Sequence, residues 1–127
     1  MSSPLILVAE DERDIRELIV FTLQISGFNV VEVPNGEEAF KKATEIKPDL
    51  ILMDVRMPKM TGYEACEALK DQESTKDIPV VFLSAKGQET EISMGLELGA
   101  VDYFLKPFEP DKLSEKVNHI LANHGKI

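Results

Sequence analysis

At 127 residues the chain has the length of one domain, and its 43% hydrophobic and 29% charged residues are the balance of a soluble globule. The 23 acids outnumber the 14 bases, leaving a formal net charge of −9. That balance argues against nucleic acid as a direct partner and against an anionic membrane surface, since both need a Lys/Arg footprint.

Five short apolar runs alternate with five segments of helical period. The first run is Leu5 to Ala9, followed by a predicted helix from Asp14 to Ser26 with Ile15, Leu18, Ile19, Thr22 and Leu23 on one stripe and Gly27 closing it. Phe28 to Val33 is the second run, interrupted by Asn29 and Glu32. Pro34-Asn35-Gly36 then turns the chain into a helix carrying Ala39, Phe40, Ala43 and Ile46. The third run, Leu50 to Met53, leads through a Pro58 loop to a helix starting near Thr61, an N-cap by its hydroxyl, with Ala65, Cys66 and Leu69 inward. The fourth run is Ile78 to Leu83. A helix from Gln88 to Leu98 follows, with Ile92 and Leu96 among its apolar residues and Gly99 at its end. Val101 to Leu105 is the fifth run, and Pro110 to Asn123 forms the last helix on Leu113, Val117, Ile120 and Leu121.

Strands alternating with helices imply βαβ units and a parallel sheet with right-handed crossovers. Runs one, three and four are almost wholly apolar, as strands covered on both faces must be, whereas runs two and five carry polar residues, as edges do. Three central and two edge strands give a doubly wound α/β sandwich, (βα)5, of flavodoxin-like order 2-1-3-4-5. Ligands of such sheets bind beyond the carboxyl ends of the strands. Those ends carry Glu10-Asp11, Asp54, Ser84 and, just after strand five, Lys106-Pro107. Three carboxylates in one crevice repel unless a cation is present. A hard divalent ion such as Mg²⁺ answers this, and carboxylate, hydroxyl, lysine and Mg²⁺ together suit phosphoryl transfer.

The chain resembles the receiver domain of two-component response regulators, the CheY-like family, over about residues 4–123. The likeness rests on Glu10-Asp11, on Asp54 within Leu52-Met53-Asp54-Val55-Arg56-Met57-Pro58, and on Gly62, Ser84-Ala85, Tyr103 and Lys106-Pro107-Phe108. The resemblance implies that residues 1–127 are one receiver domain and that Asp54 accepts a phosphoryl group from a histidine kinase or phosphotransfer protein. It further implies Mg²⁺ held by Asp11 and Asp54, by Glu10 through a water, and by the backbone carbonyl of Arg56. Lys106 is implied to pair with Asp54 before phosphorylation and with a phosphoryl oxygen after it, and its bond to Pro107 to be cis. Ser84 and Tyr103 are implied as the switch pair, and the fourth helix, fifth strand and fifth helix as the readout face for an output protein of unknown identity. Arg56 and Lys86, two residues after Asp54 and Ser84, are expected to lie over the phosphoryl group and slow its hydrolysis.

The lone cysteine Cys66 excludes an intrachain disulfide and suits a reducing compartment. The start Met1-Ser2-Ser3-Pro4 does not read as a signal peptide, and no apolar stretch nears the ~18 residues of a membrane span, so a cytoplasmic protein is expected. The chain ends soon after its fifth helix, which suggests a stand-alone receiver without an effector domain, or one cut from a longer regulator or hybrid kinase. The rival reading is an enzyme, a Mg²⁺-dependent aspartyl-phosphate phosphatase or phosphotransferase. Enzymes of that kind resembling the haloacid dehalogenases carry a second Asp two residues after the nucleophile, where this chain has Arg56. A flavodoxin-like cofactor binder shares the fold but not the acidic phosphate loop.

Overall fold

A computed structural model describes residues 3–85, 89–106 and 109–127. The elements run β1 (Leu5–Ala9), α1 (Arg13–Ile25), β2 (Asn29–Val33), α2 (Gly36–Ile46), β3 (Leu50–Asp54), α3 (Gly62–Lys70), β4 (Val80–Ala85), α4 (Glu89–Glu97), β5 (Asp102–Lys106) and α5 (Pro110–Asn123). The strands form one parallel sheet in the order β2-β1-β3-β4-β5, as their polarity led us to expect.

Side chains alternate across the sheet, so each central strand feeds two cores. Leu7, Ile51, Met53 and Phe82 pack on one face against Ala39 and Ala43 of α2 and Ala65, Cys66 and Leu69 of α3. Ile6, Leu50, Leu52 and Leu83 pack on the other against Ile19 and Leu23 of α1 and Leu113, Val117 and Leu121 of α5. Several helix boundaries have local causes. Asn35 caps α2 by accepting the amide of Glu38 at 2.8 Å. Thr61 and Glu64 form a reciprocal capping box at the start of α3, as the Thr61 expectation required. The helix α1 closes on Gly27 and α4 on Gly99, both at positive φ, and in each case the next residue's amide reaches back five residues, Phe28 to Leu23 and Ala100 to Gly95.

That closure also corrects an expected boundary, because Phe28 ends the α1 turn instead of opening β2. The fourth strand was expected at Ile78 to Leu83 but runs Val80–Ala85. Ile78 is buried, yet its amide turns back to the carbonyl of Thr75, and Pro79 has no amide to offer a ladder. Val101 lies outside β5 and is exposed. Leu18 is 45% exposed and Leu96 44% exposed, so neither belongs to the buried stripe of its helix. In α4 the inward position is Gly95. A Cβ there would stand 2.6 Å from the Phe82 ring, so the missing side chain is what lets α4 settle on β4. Gln88, expected to open that helix, lies outside the described residues.

Candidate functional site

The carboxyl ends of β1, β3 and β5 meet at one edge of the sheet. Leu7 and Val8 of β1 pair with Ile51 and Leu52 of β3, which brings Glu10, one residue past β1, level with Asp54 at the end of its strand. Carboxylate oxygens of Glu10, Asp11 and Asp54 all lie within 4.8 Å of one another. Glu10 is fully buried, Asp54 is 6% exposed, and Asp11 faces solvent. Lys106 closes the group from β5: its Nζ stands 3.2 Å from Oε1 of Glu10 and 3.2 Å from Oδ2 of Asp54. The expected pairing with Asp54 is present, and Glu10 shares the same ammonium. The other oxygen of each acid accepts a backbone amide, Glu10 from Glu12 at 3.1 Å and Asp54 from Arg56 at 3.4 Å.

Electrostatics follow from this packing. Burial, then the charge of Asp54, push Glu10 up to about 7. Burial opposes charge on Lys106, but Asp54 and Glu10 outweigh it and hold its ammonium above the usual lysine value. One lysine thus balances two buried acids, with Asp11 at the open side. An all-oxygen, carboxylate-rich donor set short of positive charge fits a hard divalent ion such as Mg²⁺.

Ser84 is 1% exposed near the end of β4 and pairs in register with Leu105, while Phe82 pairs with Tyr103. Ser84 and Tyr103 therefore lie on the same face of the sheet, on neighbouring strands. Tyr103 is half-buried. The Nζ of Lys116 on α5 sits 5.4 Å from its ring centre and donates to its carbonyl at 2.9 Å. Arg56 is exposed and follows directly on the Asp54 loop, which Gly62 closes by donating to the carbonyl of Val55. Lys86, Pro107 and Phe108 lie outside the described residues, as does the side chain of Ala85. Among the described residues no helix is long and apolar enough to cross a membrane.

Sequence reasoning missed Arg16. Its Nη1 donates to the carbonyl of Glu10 at 2.8 Å and its Nε to Oε1 of Glu32 at 3.1 Å. The one hint in the sequence is a basic residue near the N-terminal end of α1, where the helix dipole favours acids, and it does not say which groups offset that charge. Lys116 carried no comparable mark, since a lysine on an amphipathic helix is ordinary.

A family model described as the response regulator receiver domain matches residues 6–118. The alkaline phosphatase synthesis transcriptional regulatory protein PhoP of Bacillus subtilis is 45% identical over 116 residues, 91% of this chain and 48% of that protein. The phosphate regulon transcriptional regulatory protein PhoB of Pseudomonas aeruginosa is 41% identical over 120 residues, 94% of this chain and 52% of that protein. The chain thus spans about half the length of the curated relatives it matches. Among solved structures, the chemotaxis response regulator CheY4 of Vibrio cholerae superposes with a TM-score of 0.88 at 31% identity, over 94% of this chain and 99% of that one. The receiver domain of the sensor histidine kinase PA1611 from Pseudomonas aeruginosa, which has a magnesium ion coordinated in its active site cleft, does so with a TM-score of 0.89 at 29% identity, over 95% and 99%.

Proposed function

The chain belongs to the response regulator receiver family, and on that premise we propose that residues 1–127 act as one receiver domain that takes a phosphoryl group from a kinase phosphohistidine onto Asp54. The observation that carries this is the joint presence of three carboxylates within 4.8 Å and a lysine 3.2 Å from two of them. An oxygen of Asp54 attacks phosphorus, the new O–P bond forms as the N–P bond breaks, and the leaving imidazole takes up a proton. Lys106, already at Oδ2 of Asp54, is placed to follow the charge onto a phosphoryl oxygen, and Ser84 supplies a hydroxyl.

Glu10, Asp11 and Asp54, with the backbone carbonyl of Arg56, would hold Mg²⁺. When bound, the ion supplies the positive charge that lets phosphoryl oxygens enter a site of like sign. The reaction is the domain's own modification, reversed when water attacks phosphorus and restores the carboxylate, so it is a switch and not an enzyme acting on small phosphoesters. In this reading Arg56 and Lys86, two residues after Asp54 and Ser84 in the sequence, hinder that water. Arg56→Ala and Lys86→Ala should each shorten the phosphoryl lifetime several-fold, and unchanged lifetimes in both would remove them from the account.

The readout is the α4–β5–α5 face. Its exposed apolar residues Met94, Leu96 and Leu105 offer a docking surface for a protein partner, and Ser84 and Tyr103 link it to Asp54. We place the domain in the cytoplasm, where its kinase would phosphorylate it. The acidic charge argues against DNA contact by these 127 residues alone. Relatives that are transcriptional regulators bring nucleic acid back as a partner of any longer protein that contains them. The test is incubation with acetyl phosphate or beryllofluoride, with and without Mg²⁺, for wild type and Asp54→Asn. A Mg²⁺-dependent mass gain or spectral change in wild type alone is expected; its absence in wild type, or its persistence in Asp54→Asn, defeats the reading.

A further inference from the structure

The turn that ends β1 presents consecutive acids, Glu10, Asp11 and Glu12, which repel one another. Its shape must therefore be held from outside. The amide of Glu10 donates to the carbonyl of Val33 at 3.2 Å, and its carboxylate is fixed by Glu12 and Lys106. Strand pairing of β1 stops at Ala9 on both sides, so the carbonyl of Glu10 lies beyond the ladder. Arg16 takes it. The same planar guanidinium reaches Glu32 on β2 through its other edge, and its side chain is only 17% exposed against 80% for Arg13 one turn earlier. A lysine, with one point of charge, cannot reproduce a two-edged link of this kind.

We propose that Arg16 is a positioning residue of the phosphorylation site: its guanidinium ties the Glu10–Asp11 turn to the end of β2 and so fixes where the Asp11 carboxylate stands to receive Mg²⁺. The inference rests on the Mg²⁺ reading above. Its sign separates it from plain electrostatics. A nearby fixed cation disfavours a divalent ion, so deleting the charge should tighten Mg²⁺ binding if charge were all that mattered. Loss of positioning weakens it, by about tenfold for an outer residue that orients a metal ligand.

The experiment titrates Mg²⁺ into the metal-free 127-residue protein and follows backbone amide shifts, for wild type, Arg16→Met and Arg16→Lys. Both variants should bind Mg²⁺ about tenfold more weakly than wild type, and the amides of Asp11 and Glu12 should exchange faster in both. Unchanged or tighter binding in Arg16→Met would overturn the inference. If that variant does not fold, Arg16→Lys decides alone, because it keeps the charge and the helix propensity; wild-type affinity in it overturns the inference equally. A wild-type protein that ignores Mg²⁺ would instead bring down the metal reading, and this inference with it.

Discussion

The ammonium of Lys106 lies 3.2 Å from the carboxylate of Glu10, a side chain with no solvent exposure. Burial and the neighbouring Asp54 nevertheless raise Glu10 to about 7, against an ordinary value of 4.5. Between those two values the folded protein keeps a proton that the unfolded chain has released, so stability falls as pH rises through the window. The metal-free protein should melt several degrees higher at pH 5 than at pH 7.5, a difference on the order of 1–3 kcal/mol. In Glu10→Gln this slope should flatten. Identical slopes in the two proteins would show that Glu10 does not hold the proton.

Lys106 balances two acids at once, so removing it exposes the repulsion between them. Breaking a fully buried pair costs about 3–5 kcal/mol and losing an exposed one about 0–1 kcal/mol, and with its side chain 19% exposed Lys106 falls between them, at about 1–3 kcal/mol. Lys106→Met should lose that much in urea unfolding at pH 8 without metal. It should lose less at pH 5, where Glu10 is protonated, and Mg²⁺ should restore part of the loss at pH 8. A loss independent of both pH and Mg²⁺ would mean that the lysine stem, not its charge, matters.

The limits of the sequence reading have physical causes. Strand order was legible because full burial of β1, β3 and β4 demands near-continuous apolar runs, while Asn29, Glu32 and Asp102 can stand only at an edge. The acidic site was legible because parallel strands deliver their carboxyl ends to one side of the sheet. Ile78 misled because burial and strand pairing are separate properties, and only the missing amide of Pro79 told them apart. Arg16 was missed because its partners, a carbonyl and a residue on β2, adjoin it only in the folded chain. Leu96 misled because periodicity scores side chains, whereas the contact that seats α4 is made by a residue that has none.

That contact gives the sharpest packing test. By helix propensity alone, Gly95→Ala in the interior of α4 should stabilise the protein by about 1 kcal/mol. The structure argues the reverse. The new Cβ would come within 2.6 Å of Cδ2 and 2.9 Å of Cε2 of Phe82. That ring is hard to move, being 2% exposed and set edge-on to Tyr63 with centroids 5.5 Å apart. Overpacking of this kind costs about 1–3 kcal/mol, so Gly95→Ala should come out destabilised by about 1 kcal/mol or more in urea unfolding. Phe82→Leu opens room beside Gly95 and should by itself cost stability. Combined with Gly95→Ala it should cost less than the two single losses added, a favourable coupling of at least about 0.5 kcal/mol. Additive losses, or a stabilised Gly95→Ala, would mean that α4 is not seated on Phe82. Because Met94 and Leu96 flank Gly95 on the proposed docking face, the same variant should also shift the amide resonances of α4 while leaving Mg²⁺ binding at the acidic cluster unchanged.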